Sequence, residues 1–192
     1  VQRRHQKIIE ESPSPAAFFA GQAGAARRRA LHTAALDVVK AVGYRGAGTV
    51  EFVANAEGEL FFLEVNARLQ VEHPVTEAVT GLDLVEQQLL IASGERLEPS
   101  VLAATSRGHA IEARVYAEDP GRGFLPQPGR IEALSWPSGE GIRVDSGVEQ
   151  GLEVSSHYDP MLAKIIAFGR DRSEAIARLD SALQSTRLRL VG

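Results

Sequence analysis

Two glutamates, Glu51 and Glu64, lie in β-rich runs on either side of an Asn55-Ala56-Glu57-Gly58 turn. Facing residues of an antiparallel hairpin have position numbers with a constant sum, so centring the turn on Glu57-Gly58 sets Glu51 opposite Glu64. Opposed Cβ atoms are then about 4.5 to 5.5 Å apart, and two like charges at that spacing repel unless something positive lies between them. A divalent cation is the simplest remedy. Asn66 follows Glu64 by two residues and projects to the same face, adding a neutral oxygen to two anionic ones. Such an all-oxygen set suits Mg²⁺, with water and phosphate completing its octahedral shell. The same spacing also fits two solvent-facing glutamates, each paired with a lysine.

The next residues, Asn66-Ala67-Arg68-Leu69-Gln70-Val71-Glu72-His73-Pro74, set Arg68, Gln70 and Glu72 at alternate positions. An extended backbone would point all three the same way. Arginine offers a planar two-pronged donor, glutamine one more hydrogen bond, and glutamate a base for an acidic hydroxyl. Together they suit a small planar oxyanion such as bicarbonate; an Arg-Glu salt bridge in a loop is the plainer alternative. His73 reads as structural, because no second histidine stands at ligand spacing. Farther on, Glu112, Arg114 and Tyr116 share one face of a strictly alternating run, and charge inside a strand suggests a face that lines a cleft.

The elements that must hold these groups follow from pattern. Ile8 and Ile9 mark a short strand over 7–11, stopped by Pro13 and Pro15. Leu31, Ala34, Ala35, Val38 and Val42 recur at helical period, and Gly43 takes the C′ position. Arg27, Arg28 and Arg29 read as a solvated helix face. Runs 48–54 and 59–65 form the hairpin, Gly46-Ala47-Gly48 a turn before it. Pro74 opens a helix to Thr80 that Gly81 ends. Asp83 and Glu86 form a capping pattern for a second helix, with Val85, Leu89 and Ala92 as its buried stripe and Gly94 as its stop. The aperiodic stretch 95–106 reads as a linker, which gives two domains, 1–98 and 107–192. After the strand 107–117, whose other face carries His109, Ile111, Ala113, Val115 and Ala117, strands are expected at 129–134, 141–145 and 162–168. A last helix is capped by Asp171 or Ser173, with Ala175, Ile176, Leu179 and Leu183 inward.

Composition narrows the classes. The chain has 192 residues, 44% of them hydrophobic, with 21 Lys plus Arg against 25 Asp plus Glu, a net charge of −4 and no cysteine. Disulfide scaffolds and thiolate metal sites are excluded. A slightly acidic balance argues against a nucleic-acid partner, and no apolar run approaches the roughly 20 residues a membrane span needs. The absence of a glycine-lysine phosphate loop and of any recognisable Ser/His/Asp spacing leaves those chemistries unsupported. The start, Val1-Gln2-Arg3-Arg4-His5-Gln6-Lys7, without a methionine or an apolar leader, reads as an interior stretch of a longer cytosolic or organellar protein.

Several segments in order closely resemble biotin carboxylase: Arg3-Arg4-His5-Gln6-Lys7, Gly43-Tyr44-Arg45-Gly46-Ala47-Gly48-Thr49, Phe62 through Glu77, Arg107-Gly108-His109-Ala110-Ile111-Glu112-Ala113-Arg114 and Phe124-Leu125-Pro126-Gln127-Pro128-Gly129. The resemblance spans essentially the whole chain. It implies an α+β fold, in which the C-terminal part of an ATP-grasp domain, an antiparallel sheet with helices, precedes an incomplete biotin carboxylase C-terminal domain. It also implies ATP, Mg²⁺ or Mn²⁺, bicarbonate as substrate, and biotin on a carrier protein, with carboxyphosphate as the intermediate.

By the same resemblance Glu51, Glu64 and Asn66 hold the metal ions that bridge the ATP phosphates. Gln2 and His5 lie beside the nucleotide, and Lys7 lies near phosphate and bicarbonate. Arg68, Gln70 and the Val71 backbone bind bicarbonate, and Glu72 is the base that deprotonates it. Arg114 stabilises the ureido oxygen of deprotonated biotin, Asp159 is a cleft residue, and 124–129 is a structural turn. Implied partners are a biotin carboxyl carrier domain, a carboxyltransferase subunit and a second copy in a homodimer, in bacterial cytoplasm or mitochondrial matrix. The segments 147–151 and 156–164 resemble acyl-CoA carboxylase α-subunits. Lacking the family's amino-terminal domain and phosphate-binding lid, the stretch alone is expected to show no bicarbonate-dependent ATP cleavage. A carbamoyl-phosphate synthetase-like ligase and a non-catalytic assembly module are the competing readings.

Overall fold

The computed structural model describes residues 8–55 and 59–192, which form two compact units, Ser12–Ser106 and Arg107–Gly192, the latter joined by residues 8–11. The expected sites Gln2, His5 and Lys7, and the hairpin tip at Glu57-Gly58, lie outside the described residues.

In the first unit α1 (Gly21–Ala41) precedes the hairpin of β2 (Thr49–Ala54) and β3 (Leu60–Asn66). Two short helices follow, α2 (His73–Thr80) and α3 (Leu84–Ala92), then the single turn α4 (Pro99–Leu102) inside the expected linker. Gly43 and Gly81 end α1 and α2 with φ of 61° and 73°, the left-handed region that a side chain would strain. Asp83 caps α3 by accepting the Glu86 N–H at 2.8 Å, as its spacing predicts. The buried Glu77 braces the same helix start, its Oε1 accepting the Leu84 N–H at 2.7 Å.

Three expectations for these helices fail. Leu31, Ala34, Ala35 and Val38 are half-buried, whereas Val42 is 76% exposed. In α3, Val85, Leu89 and Ala92 are exposed, because no described element of this unit covers that stripe; period reveals an apolar face but not what packs on it. The arginine run is not uniformly solvated either. Arg27 donates to the Phe18 carbonyl at 3.1 Å with its guanidinium 4.7 Å from the Phe18 ring, and Arg28 lies 5.4 Å from the Phe19 ring.

The second unit is built on a four-stranded sheet in the order β1-β4-β10-β8, where β1 is Ile9–Ser12, β4 His109–Tyr116, β8 Ile142–Ser146 and β10 Met161–Gly169. The short strands β5 (Glu118–Asp119) and β6 (Leu125–Pro126) pair around a turn, so part of the expected turn 124–129 is strand. A second sheet orders β11 (Arg187–Val191), β7 (Gly129–Ser135) and β9 (Glu153–Val154). β11 falls outside the expected strands, although Arg-Leu-Arg-Leu-Val alternates as a strand does.

Helix α5 (Arg172–Ser185), capped by Asp171 accepting the Glu174 N–H at 2.9 Å, packs across the four-stranded sheet. Ile111, Ala113, Ile165, Ala167, Ala175, Leu179 and Ala182 form the core between them. Ala182 occupies the place expected for Leu183, and Ile176 and Leu183 are 43% and 42% exposed, because the buried stripe runs through 175, 179 and 182. The alternation expected in β4 is present, yet both faces are buried: one meets α5, and the other holds Glu112 with no solvent exposure.

Adjacent strand residues face opposite ways, so the Glu10-Glu11 pair divides between the faces of the sheet. Glu11 turns toward His109 (3.0 Å from Nε2) and Arg172, whose Nε donates at 2.7 Å. Burial alone would raise the Glu11 pKa, but the Arg172 and His109 hydrogen bonds and charges outweigh it and hold the carboxyl below its ordinary 4.5.

Two outcomes follow from this packing. Ile165→Ala, at a fully buried position in the core centre, should cost about 2–5 kcal/mol in chemical unfolding, against about 0.5 kcal/mol or less for the exposed Ile176→Ala. A carboxylate with a depressed folded pKa adds stability that is complete above its unfolded value and fades as pH falls through the folded one. Glu11→Gln should therefore lower stability at neutral pH and flatten its decline below pH 4.5; an unchanged acid slope would contradict the role assigned to Glu11.

Candidate functional site

The hairpin places its carboxylates as the turn arithmetic predicts. Thr49 pairs with Asn66, Val50 with Val65 and Glu51 with Glu64, before a bulge after Glu51 shifts the register toward the tip. Nearer the tip Phe52 pairs with Phe62 and Ala54 with Leu60, one residue short of the expected sum, so it is the bulge that brings Glu51 opposite Glu64. Gly48 permits the close approach beside it: a Cβ there would stand 3.1 Å from the Asn66 carbonyl oxygen and 3.3 Å from the Tyr44 ring.

Asn66 binds both acids, its Nδ2–H donating to Glu51 Oε1 at 2.9 Å and to Glu64 Oε1 at 3.0 Å. Gln70 adds a third donor, Nε2 to Glu51 Oε1 at 3.2 Å. The repulsion between the two carboxylates is thus met by amide hydrogens. The set also fits a divalent cation, since turning the Asn66 amide over would present Oδ1 where Nδ2 now lies. Among the described residues no group of three or more His, Cys, Asp or Glu side chains is arranged around a metal site. The hairpin would therefore give two carboxylates and an amide, leaving the remaining positions to water and phosphate oxygens.

Beyond Asn66 the backbone differs from the extended run expected. It stays irregular to Gln70 and then turns at Val71 and Glu72, where Glu72 (φ −85°, ψ 13°) is the N-cap position of α2. The turn replaces simple alternation because Pro74 is preset for the first turn of a helix. Arg68 is exposed, with Nη2 3.5 Å from Asn66 Oδ1 and Nη1 donating to the Leu69 carbonyl at 3.2 Å. Gln70 and Val71 are half-buried and Glu72 is 5% exposed. His73 Nδ1 lies 2.7 Å from the Gln70 carbonyl oxygen, an interaction that fixes the turn. The segment therefore offers an exposed cation at its outer end and a shielded carboxylate at its inner end.

Arg114 belongs to the second unit. Its Nη2 donates to Glu10 Oε1 at 2.6 Å, and its side chain is 12% exposed against 0% for Glu10. Burial would lower the arginine pKa, but the Tyr116 hydroxyl and the Glu10 carboxylate more than compensate and raise it, so the guanidinium stays charged. Asp159, in the same unit, is exposed and accepts the Met161 N–H at 2.8 Å, a local turn contact that occupies one oxygen. Glu10 was absent from the residues singled out by sequence. Its signal was two adjacent glutamates in a strand, which must face opposite sides and so cannot both be solvated in a covered sheet.

Two family profiles match in succession: the carbamoyl-phosphate synthase L chain, ATP-binding domain, over residues 1–100, and the biotin carboxylase C-terminal domain over 112–191. Biotin carboxylase 2 of Bacillus subtilis is 50% identical over 188 residues, 98% of this chain and 41% of the relative. The mitochondrial methylcrotonoyl-CoA carboxylase subunit alpha of Mus musculus is 51% identical over 180 residues, 93% of this chain and 24% of the relative. The biotin carboxylase domain of the Hydrogenobacter thermophilus 2-oxoglutarate carboxylase, solved with MgADP, ADP and bicarbonate, superposes with a TM-score of 0.88 at 40% identity, covering 100% of this chain and 41% of that one. The chain thus spans between about a quarter and two fifths of these proteins. No helix among the described residues is long and apolar enough to cross a membrane. With both profiles met in order and half its residues shared with a biotin carboxylase along nearly its full length, the chain belongs to the biotin carboxylase family of ATP-grasp enzymes.

Proposed function

We propose that the protein carrying this chain uses ATP and bicarbonate to carboxylate biotin on a carrier domain. The observation that carries this reading is the Glu51-Glu64 pair bridged by Asn66, followed within six residues by Arg68, Gln70 and Glu72. The Hydrogenobacter relative solved with MgADP and bicarbonate supports the same ligand classes. A magnesium or manganese ion held by Glu51, Glu64 and Asn66 would neutralise phosphate charge.

In this reading Arg68, Gln70 and the Val71 backbone hold bicarbonate, and Glu72 takes its hydroxyl proton. A bicarbonate oxygen then forms a bond to the γ-phosphorus of ATP as the bond to ADP breaks, giving carboxyphosphate. Burial of Glu72 keeps bulk water from its carboxylate, which suits a base that takes its proton from bound bicarbonate. In the second step N1′ of biotin loses its proton and attacks the carboxyl carbon, releasing phosphate. Arg114 meets the negative charge that develops on the ureido oxygen. We assign Gln2 and His5 to the nucleotide, Lys7 to phosphate and bicarbonate, and Asp159 to the cleft, on the family resemblance alone. The domains are 1–98 and 107–192, and the partners are a biotin carboxyl carrier domain, a carboxyltransferase subunit and a second copy of the carboxylase. Resemblance in 147–151 and 156–164, and likeness to the mouse relative, support a parent of the acyl-CoA carboxylase α-subunit type.

The test is made on the full-length protein. It should cleave ATP in a bicarbonate-dependent manner that free biotin stimulates, and Glu72→Gln should lower that rate by about 10²- to 10⁴-fold. Glu64→Gln should raise the Mg²⁺ concentration needed for half-maximal rate. Stimulation by ammonia or an amino acid in place of biotin would overturn the reading in favour of another ATP-grasp ligase. Full biotin carboxylation by both variants would favour an assembly module.

A further inference from the structure

Glu10 is fully buried, and its carboxylate accepts from the guanidinium assigned to biotin. Withdrawing a carboxylate and a guanidinium from water costs several kcal/mol per ion, so such a pair contributes little net stability compared with apolar residues of the same volume. What it does supply is a fixed geometry. Glu10 lies on β1, and the backbone there is tied to the arginine's own strand, the Arg114 N–H donating to the Ile8 carbonyl at 2.9 Å. Carboxylate and guanidinium therefore ride on adjacent hydrogen-bonded strands of one sheet, with no loop between them.

The neighbouring strands sharpen the point. Lys164 on β10 pairs directly with Arg114 on β4, and Asp145 on β8 pairs directly with Lys164. Two cations opposed across strands repel at that spacing. Lys164 is drawn toward Asp145, Nζ lying 3.3 Å from Oδ2, and Arg143 grips the same carboxylate at 2.7 and 2.9 Å. On the other side Glu10 draws Arg114. Lys164 and Arg114 thus each meet a carboxylate on the side away from the other, with Arg143 sharing Asp145 and Glu112 lying on the Arg114 face of β4.

We propose that Glu10 is a positioning residue for the biotin half-reaction, holding the Arg114 guanidinium in the one orientation that meets the developing ureido oxyanion. This inference rests on the role proposed above for Arg114. Tyr116 also reaches Arg114, but without the Glu10 carboxylate the guanidinium keeps its charge and loses the partner that fixes Nη2, and an oxyanion is stabilised only by donors already aimed at it.

The full-length enzyme separates the outcomes. Glu10→Gln should lower biotin carboxylation on the order of 10- to 100-fold, expressed in kcat, while bicarbonate-dependent ATP cleavage without biotin stays unchanged. Glu10→Asp, which keeps the charge on a shorter arm, should fall between Glu10→Gln and the parent. In an Arg114→Gln background, Glu10→Gln should cause no further loss, because a residue acting through Arg114 has nothing left to position. Were Glu10→Gln to misfold, the graded loss in Glu10→Asp and its disappearance beside Arg114→Gln would still decide. Full carboxylation by Glu10→Gln, equal loss of both activities, or losses that multiply in the double variant would each overturn the inference while leaving Arg114's role intact. Full carboxylation by Arg114→Gln alone would remove that role and this inference with it.

Discussion

A pleated strand sends successive side chains to opposite faces, and the chemistry of this protein depends on where that rule places charge. In the hairpin it puts Glu51, Glu64 and Asn66 on one side of two paired strands, close enough for a single amide to bind both acids. In the second unit it parts Glu10 from Glu11, sending the first to Arg114 and the second to His109 and Arg172. In β4 it gives one face to Ile111 and Ala113 and the other to Glu112 and Arg114. Shifting any of these strands by one residue would exchange the faces and destroy both core and site together. Folding and chemistry therefore impose one register, and the buried aliphatic row enforces the position of the charged one.

The two glutamates of β1 illustrate how unlike the energetics of similar ion pairs are. Glu11 is held by two partners from β4 and α5, and its lowered pKa makes it a contributor to stability above the acid range. Glu10, on the opposite face of the same strand, meets Arg114, whose guanidinium stays charged. One clamps helix to sheet, and the other sets the aim of a side chain. Burial depth alone does not distinguish them; the identity and location of the partner does.

Much of this was legible from residues alone. The hairpin register, the Asp83 and Asp171 caps, the glycine stops at 43 and 81 and the alternation in β4 all depend on contacts within a few positions, or on one turn. The failures have a different origin. Val85, Leu89 and Ala92 form a sound helical stripe, yet which side of a helix is covered depends on elements distant in sequence. In α5 the burial of Ala182 in place of Leu183 reflects a helix resting close on the sheet, where a small side chain fits and a larger one is pushed to the flank. β11 lay outside the expected strands although Arg-Leu-Arg-Leu alternates at the strand period, because only Thr186 separates it from α5 and no turn residue marks its start. The turn at Val71 and Glu72 was hidden for a similar reason, since alternation of residue types does not guarantee an extended chain when proline lies two positions ahead.

The contrast in exposure between the two charged sites fits the roles proposed for them. Glu64 and Arg68 are exposed, and their neighbours Glu51 and Gln70 are half-buried, so hydration relieves much of the repulsion between the acids when nothing is bound. A site that receives a hydrated cation and a polyphosphate gains from such openness, because its ligands arrive with charge of their own and complete the shell themselves. Arg114 faces the opposite requirement. The charge it is assigned to meet exists only while biotin is reacting, too briefly for side chains to reorganise around it, so its donors must be in place beforehand. Burial against Glu10 achieves this at the expense of desolvating two ions, an expense that a sheet held by Ile165, Ile166 and Ala167 can absorb. The hairpin can afford to be loosely held by amides, and the strand pair cannot.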